Sequence, residues 1–140
     1  MKDGFDIVTD IRSLINIPSI TGLITGKIWP TELPSGRTET DIAINSLGIT
    51  NTQDQIGHGN VNIHAPNLIE TVGGKSYPMP NQALLNSISK AVTPYLDGQY
   101  RPSFRTKVEE AGQLLQDTDG SWFVNIRVKY YSLQTDFKHV

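Results

Sequence analysis

The stretch from Ser121 to Leu133 constrains the fold more than any other part of the chain. Trp122, Val124, Ile126, Val128 and Tyr130 alternate with Phe123, Asn125, Arg127, Lys129 and Tyr131. That period of two gives a strand one apolar face and one mixed face, and gives a helix no face at all. Such a strand is stable only inside a sheet whose apolar side is covered by a second layer. The remaining sequence must therefore supply both the partner strands and the cover.

Two runs offer partners. In 41–47, Ile42 and Ile44 share one side while Asp41, Ala43 and Asn45 share the other. In 60–65, Val61 and Ile63 point one way and Asn60, Asn62 and His64 the other. The second side of both runs is unusual, because it carries amides and an imidazole where a solvated strand more often carries Lys, Glu or Thr. Further strands are expected within 20–29, over 39–47, and in 104–116, where Gly112 should break or bulge the run. Asp117-Thr-Asp-Gly120 is a turn signal joining the last two strands.

The cover comes from two amphipathic segments. Residues 3–16 place Phe5, Val8, Ile11 and Ile15 on one stripe, widened by Ile7 and Leu14, with Asp3 as N-cap and Pro18 as the stop. Residues 82–95 carry Leu84, Leu85, Ile88, Ala91, Val92 and Tyr95, with Asn81 as N-cap and Asp97-Gly98 as the close. Pro94 should end this helix near Val92 or kink its last turn. The expected order is α-β-β-β-α-β-β, and the expected fold is α+β: two layers, an antiparallel sheet packed against two helices. The 140 residues suit a single domain, 1–140, with projecting loops near 30–38, 48–59 and 67–80. The long polar connection 48–59 is the expected assembly arm. The tail after Leu133 has no pattern.

Composition excludes several function classes. The formal charge of −2 creates no basic field for nucleic acid or an anionic membrane. The first half of the chain is nonetheless acidic and the second half basic, a dipole that identical subunits could use head to tail. There are no cysteines, hence no disulfide, thiolate metal site or cysteine nucleophile. The opening residues lack the apolar run of a signal peptide, and no apolar run approaches the roughly 20 residues of a membrane span.

Catalytic patterns do not assemble. Val72-Gly73-Gly74-Lys75-Ser76 ends like a phosphate-binding loop, but Ile69 stands where the first glycine belongs and Tyr77-Pro78-Met79-Pro80 follows where a helix is required. A glycine-rich surface loop explains it. His58, His64 and His139 do not have metal-ligand spacing, and no metal or cofactor is expected. His64 and Asp41 could face each other across a strand pair as an acid–base dyad, if the register allows. No third partner accompanies them. Aromatics interleaved with basic residues occur in 100–107 and at Arg127, Lys129 and Tyr131, a pattern shared by single-strand nucleic-acid surfaces and by ordinary sheet faces with snorkelling side chains. The acidic balance of the chain favours the ordinary sheet face.

Four stretches together resemble the phage tail terminator family, the tail-completion or head–tail joining subunits of long-tailed phages and prophages. They are Gly26-Lys-Ile-Trp29, Pro34-Ser-Gly-Arg-Thr-Glu-Thr-Asp-Ile-Ala-Ile-Asn45, Asn60-Val-Asn-Ile-His-Ala-Pro66 and Phe123-Val-Asn-Ile-Arg-Val-Lys-Tyr130. The resemblance spans nearly the whole chain and departs from the family in the segments 48–59 and 67–80. It implies the same α-β-β-β-α-β-β order and a structural, non-enzymatic role. Subunits would close into a homo-oligomeric ring, a hexamer, that ends tail-tube growth and joins the tail to the head. The implied partners are the tail-tube protein and head connector proteins, with DNA passing through unread and no membrane. The implied location is the virion tail or neck, assembled in the bacterial host cytoplasm. On this reading Trp29, Arg37, Asn62, His64, Arg127 and Lys129 are the interface candidates. Two alternatives stay open: another connector of the same junction, a stopper or adaptor, and a small α+β enzyme using His64 and Asp41.

Overall fold

The computed structural model describes residues 1–50, 52 and 54–133. Its elements, in chain order, are α1 (Gly4–Ile15), α2 (Pro18–Thr21), β1 (Ile28–Pro30), β2 (Asp41–Ile49), β3 (Ile56–Ala65), β4 (Leu68–Val72), β5 (Lys75–Met79), α3 (Gln82–Leu96), β6 (Gln99–Tyr100), β7 (Phe104–Gln116) and β8 (Trp122–Ser132). The expected α-β-β-β-α-β-β layout with two helices on an antiparallel sheet is overturned. Strand outweighs helix, 44% against 24%. A six-stranded mixed sheet runs β1-β2-β3-β8-β7-β6, and β4 and β5 form a separate two-stranded sheet.

Each departure has a local cause. Pro18 does stop α1, but it then occupies the first turn of α2, where its fixed φ and missing N–H cost nothing. That helix takes Ile20 out of the expected strand and leaves only Ile28–Pro30 to pair. β1 runs parallel to β2, with Trp29 opposite Ala43, so the chain over 31–40 must cross back before β2 begins. Glycines explain the longer β3. Gly57 and Gly59 occupy the inward positions that Val61, Ile63 and Ala65 continue, so the strand starts inside what looked like a polar loop. A Cβ on Gly59 would lie 2.6 Å from Ile11 Cδ1, and one on Gly57 would lie 2.6 Å from Ile7 Cδ1 and 2.9 Å from the Gly48 carbonyl oxygen. These two positions let α1 settle close to the sheet. Most of the 48–59 arm is therefore strand, since β2 runs to Ile49 and β3 begins at Ile56; residues 51 and 53 lie outside the described residues, as do His139 and the tail after 133.

The segment 67–80 also gains structure. Gly73 and Gly74, at φ 59° and 79°, form the two-residue turn that right-twisted hairpins prefer, and Leu68 to Val72 pairs with Met79 to Lys75. The phosphate-loop lookalike is this turn. Pro94 remains inside α3, which runs on to Leu96.

The core forms where α1 and α3 lie on one side of the sheet. Ile7, Ile11, Leu14 and Ile15 from α1 and Leu85, Ile88, Val92 and Leu96 from α3 meet Ile42, Ile44, Val61, Ile63, Val124, Ile126, Val128 and Tyr130. Phe5, expected in the α1 stripe, is 81% exposed. Asp3 caps α1 as anticipated, and Asp6 completes the capping box. Tyr130 is buried, stacks on Phe104 and donates its hydroxyl to Asp10, whose Oδ2 also receives Lys2 Nζ at 2.9 Å. That contact ties α1 to the longest-range strand pair in the molecule.

Candidate functional site

The side of the sheet away from the helices carries every one of the six sequence candidates. Register places them in rows. Trp29, Ala43, Asn62 and Asn125 form one row; Asp41, His64 and Phe123 the next; Asn45, Asn60 and Arg127 a third. Lys129 lies beside His58, further toward the end of β8 where Tyr131 and Arg105 pair.

Asp41 organises one corner. It is fully buried, and its carboxylate is encircled. Oδ1 accepts the Lys27 backbone N–H at 2.8 Å, the Trp29 indole Nε1–H at 2.9 Å and Arg37 Nη2 at 2.9 Å, while Oδ2 accepts Arg37 Nε at 3.1 Å. The guanidinium lies over the Trp29 ring at 5.1 Å, and Lys27 Nζ sits 5.8 Å from the same ring. Burial pushes the carboxyl up, but the bonds from Arg37, Lys27 and Trp29 and the guanidinium charge together hold it below the ordinary range. Gly26 makes the arrangement possible, since a Cβ there would fall 1.9 Å from Asp41 Oδ1. The crossing segment 31–40 exists to bring Arg37 back over β1, so Gly26, Trp29, Arg37 and Asp41 are one construction. Trp29 and Arg37 are thereby shown to be tied into the fold.

His64 stands directly opposite Asp41, as the dyad reading required, yet the two do not form a hydrogen bond. Asp41 already accepts four hydrogen bonds from Lys27, Trp29 and Arg37. The imidazole instead stacks on Phe123, with ring centroids 5.0 Å apart and planes at 22°. Burial pushes His64 below its ordinary value, against the opposing charges of Asp117, Asp41 and Asp119, which leaves it neutral near pH 7. His64 also lines a cleft of about 560 Å³ together with Glu32, Arg37, Glu39, Asp117 and Asp119. Asp41 does not line it. The cleft is an acidic concavity with a neutral imidazole in its wall.

The middle of the face is an amide ladder. Asn60 Nδ2 donates to Asn45 Oδ1 at 3.0 Å, and Asn125 Nδ2 donates to Asn62 Oδ1 at 2.7 Å and to Asn60 Oδ1 at 3.1 Å. Cross-strand pairs of this kind fix register on a polar face, since a one-residue slip would carry the amides into the core. Beside the ladder, Arg127 Nε is buried without a hydrogen-bond partner among the described residues, an arrangement that costs about 1–3 kcal/mol. Beyond it, Arg105 and Lys129 flank the Tyr131 ring at 4.6 and 5.3 Å.

Sequence reasoning found the six candidates and the amide face but missed what joins them. The Arg37–Asp41 pair had a signal, a basic residue four positions before a strand-leading acid. The acidic cleft had none, because its carboxylates come from the 31–39 segment and the β7–β8 turn. Among the described residues no group of His, Asp and Glu side chains could hold a metal ion, and no helix is long and apolar enough to cross a membrane. No protein-family model matches the chain, and no curated protein matches it significantly.

Proposed function

We propose that this chain is a ring-forming structural subunit of a phage or prophage tail, one that ends tail-tube growth and joins the tail to the head. The observation that carries the reading is the β4–β5 hairpin. Among the described residues its strands pair only with each other, and Leu68, Ile69, Val72, Tyr77 and Met79 are all exposed on it. A two-stranded ribbon with no second layer gains little stability alone, and clustered apolar exposure of this kind marks a contact surface. In a closed ring each subunit reaches its neighbour with one surface and receives with another. The hairpin is such a reaching element, in place of the 48–59 connection.

The open polar face supports the same role. Its amides and fixed aromatics suit protein contact, and the weakly acidic chain suits a lumen through which DNA passes without being read. The observed element order lends nothing to the family resemblance, so the proposal rests on the four sequence motifs and the arm. In it the subunits form a hexameric ring in the virion tail or neck, contacting tail-tube protein on one side and head connector proteins on the other. Purified chain added to tail tubes should form rings at the tube end, visible by electron microscopy, and should halt further tube growth. Tubes that keep growing with bare ends would overturn the proposal. Rings that bind the head portal but not the tube would assign the chain to another connector of the junction.

A further inference from the structure

We propose that the open face of the six-stranded sheet binds a second copy of this chain head to tail, its acidic end against the neighbour's basic end. The inference rests on the ring reading above and names the surfaces that would close it.

The two ends are opposite in charge and lie on one face. At the end where β8 begins, Glu32, Glu39, Asp117 and Asp119 surround the His64 cleft. Arg37 is there too, but its charge is spent on Asp41. Hydrogen bonds from Ser121 hold Asp119 below the ordinary carboxylate range, so it stays ionised. At the other end, Arg105 and Lys107 on β7 pair across to Tyr131 and Lys129 on β8, the outward set of each strand. The acids there are Glu109, 3.1 Å from His58, and Glu110, opposite Arg127, and against Arg105, Lys107, Arg127 and Lys129 they leave the end net basic.

Neither end satisfies itself. Among the described residues, the ion pairs are Lys2–Asp10, Arg37–Asp41 and His58–Glu109. At ion-pair distance Glu32, Asp117 and Asp119 have no cationic partner among these residues, Glu39 feels only the more remote charge of Arg37, and Arg105, Lys107 and Lys129 have no anionic partner. Distance prevents them from reaching each other within one copy. Phe123 and Lys129 are six residues apart on β8, about 20 Å at strand rise, which exceeds the Debye length of about 8–10 Å in physiological salt. Each end is free to pair with another molecule, and the group that complements it is the far end of an identical copy. The Arg105 and Lys129 cations both lie over the Tyr131 ring, 4.6 and 5.3 Å from its centre. Like ends repel, so each end pairs with the opposite end of its neighbour, and in the ring reading above successive copies joined this way close the ring.

The test uses the full chain and two charge-reversed forms, Glu32→Lys with Glu39→Lys, and Lys107→Glu with Lys129→Glu. Glu32, Glu39 and Lys107 are exposed and Lys129 is half-buried on the open face, and thermal melting of both forms is the control for folding. Sedimentation velocity in about 20 mM and about 500 mM salt reads association, which should weaken about tenfold or more at the higher salt. Each reversed form alone should lose association to a similar degree, and an equimolar mixture of the two should regain it. Association that neither reversal alters, or a mixture that fails to recover, overturns this contact while leaving the ring reading intact. A wild-type chain that stays monomeric in all conditions, and on tail tubes, overturns both.

Discussion

Replacing Asp41 with Ala should be the most damaging single polar deletion in the molecule. The substitution removes the acceptor of two Arg37 bonds, the Lys27 N–H and the Trp29 indole N–H at once. Arg37 retains partial solvent access, its side chain being 28% exposed, so its guanidinium can rehydrate. The Lys27 and Trp29 donors are left to find water in a half-closed corner, at about 1–3 kcal/mol for each that fails. Together with the lost ion pair the cost should be about 3–5 kcal/mol. For a domain of this size that lowers the melting temperature by roughly 10–20 °C. Asp41→Asn keeps an acceptor for the two N–H groups and should lose about half as much. Urea unfolding followed by tryptophan fluorescence measures both. The pH dependence supplies a second readout. The folded carboxyl lies below its ordinary value, so its stabilisation is present above the unfolded pKa and disappears as pH falls through the folded one. Wild type should therefore converge on Asp41→Asn in acid. A loss below about 1 kcal/mol for Asp41→Ala would refute the clasp as a source of stability.

Gly26→Ala attacks the same corner sterically, since its Cβ would overlap the Asp41 carboxylate; a melting-temperature loss comparable with Asp41→Ala is expected, and combining the two should cost much less than their sum. Tyr77→Ser with Met79→Ser on the hairpin should leave urea stability within about 1 kcal/mol of wild type, because both side chains are exposed, yet abolish rings on tail tubes. His64 is held below its ordinary value near 6.5 by burial, so the unfolded chain takes up the proton first as pH falls. Wild type should lose stability from about pH 6.5 downward relative to His64→Gln, measured as the difference in urea midpoint at about pH 7.5 and pH 5.5. Equal midpoint shifts in the two proteins would remove His64 as the cause.

The sequence by itself determined the faces. The period of two in β8, in Asp41–Asn45 and in Asn60–Ala65 states which side chains go inward, and the structure keeps that division at Ile42, Ile44, Val61, Ile63, Val124, Ile126 and Val128. The α1 cap at Asp3 and the α3 stripe were equally legible, because capping and helical periodicity are local. What the tertiary structure decided was pairing and reach. β1 could not be known to run parallel to β2, since that direction follows from a buried carboxylate gathering donors from residues 27, 29 and 37. β3 could not be known to begin at Ile56, since Gly57 and Gly59 become inward positions only when α1 lies against them. Nor could 67–80 be recognised as a ribbon, with two proline residues and no alternating core face to announce it. A side chain's facing is set by its neighbours along the strand. Its partner is set by contacts across the chain, which the sequence carries only as isolated residues such as Gly26 and Arg37.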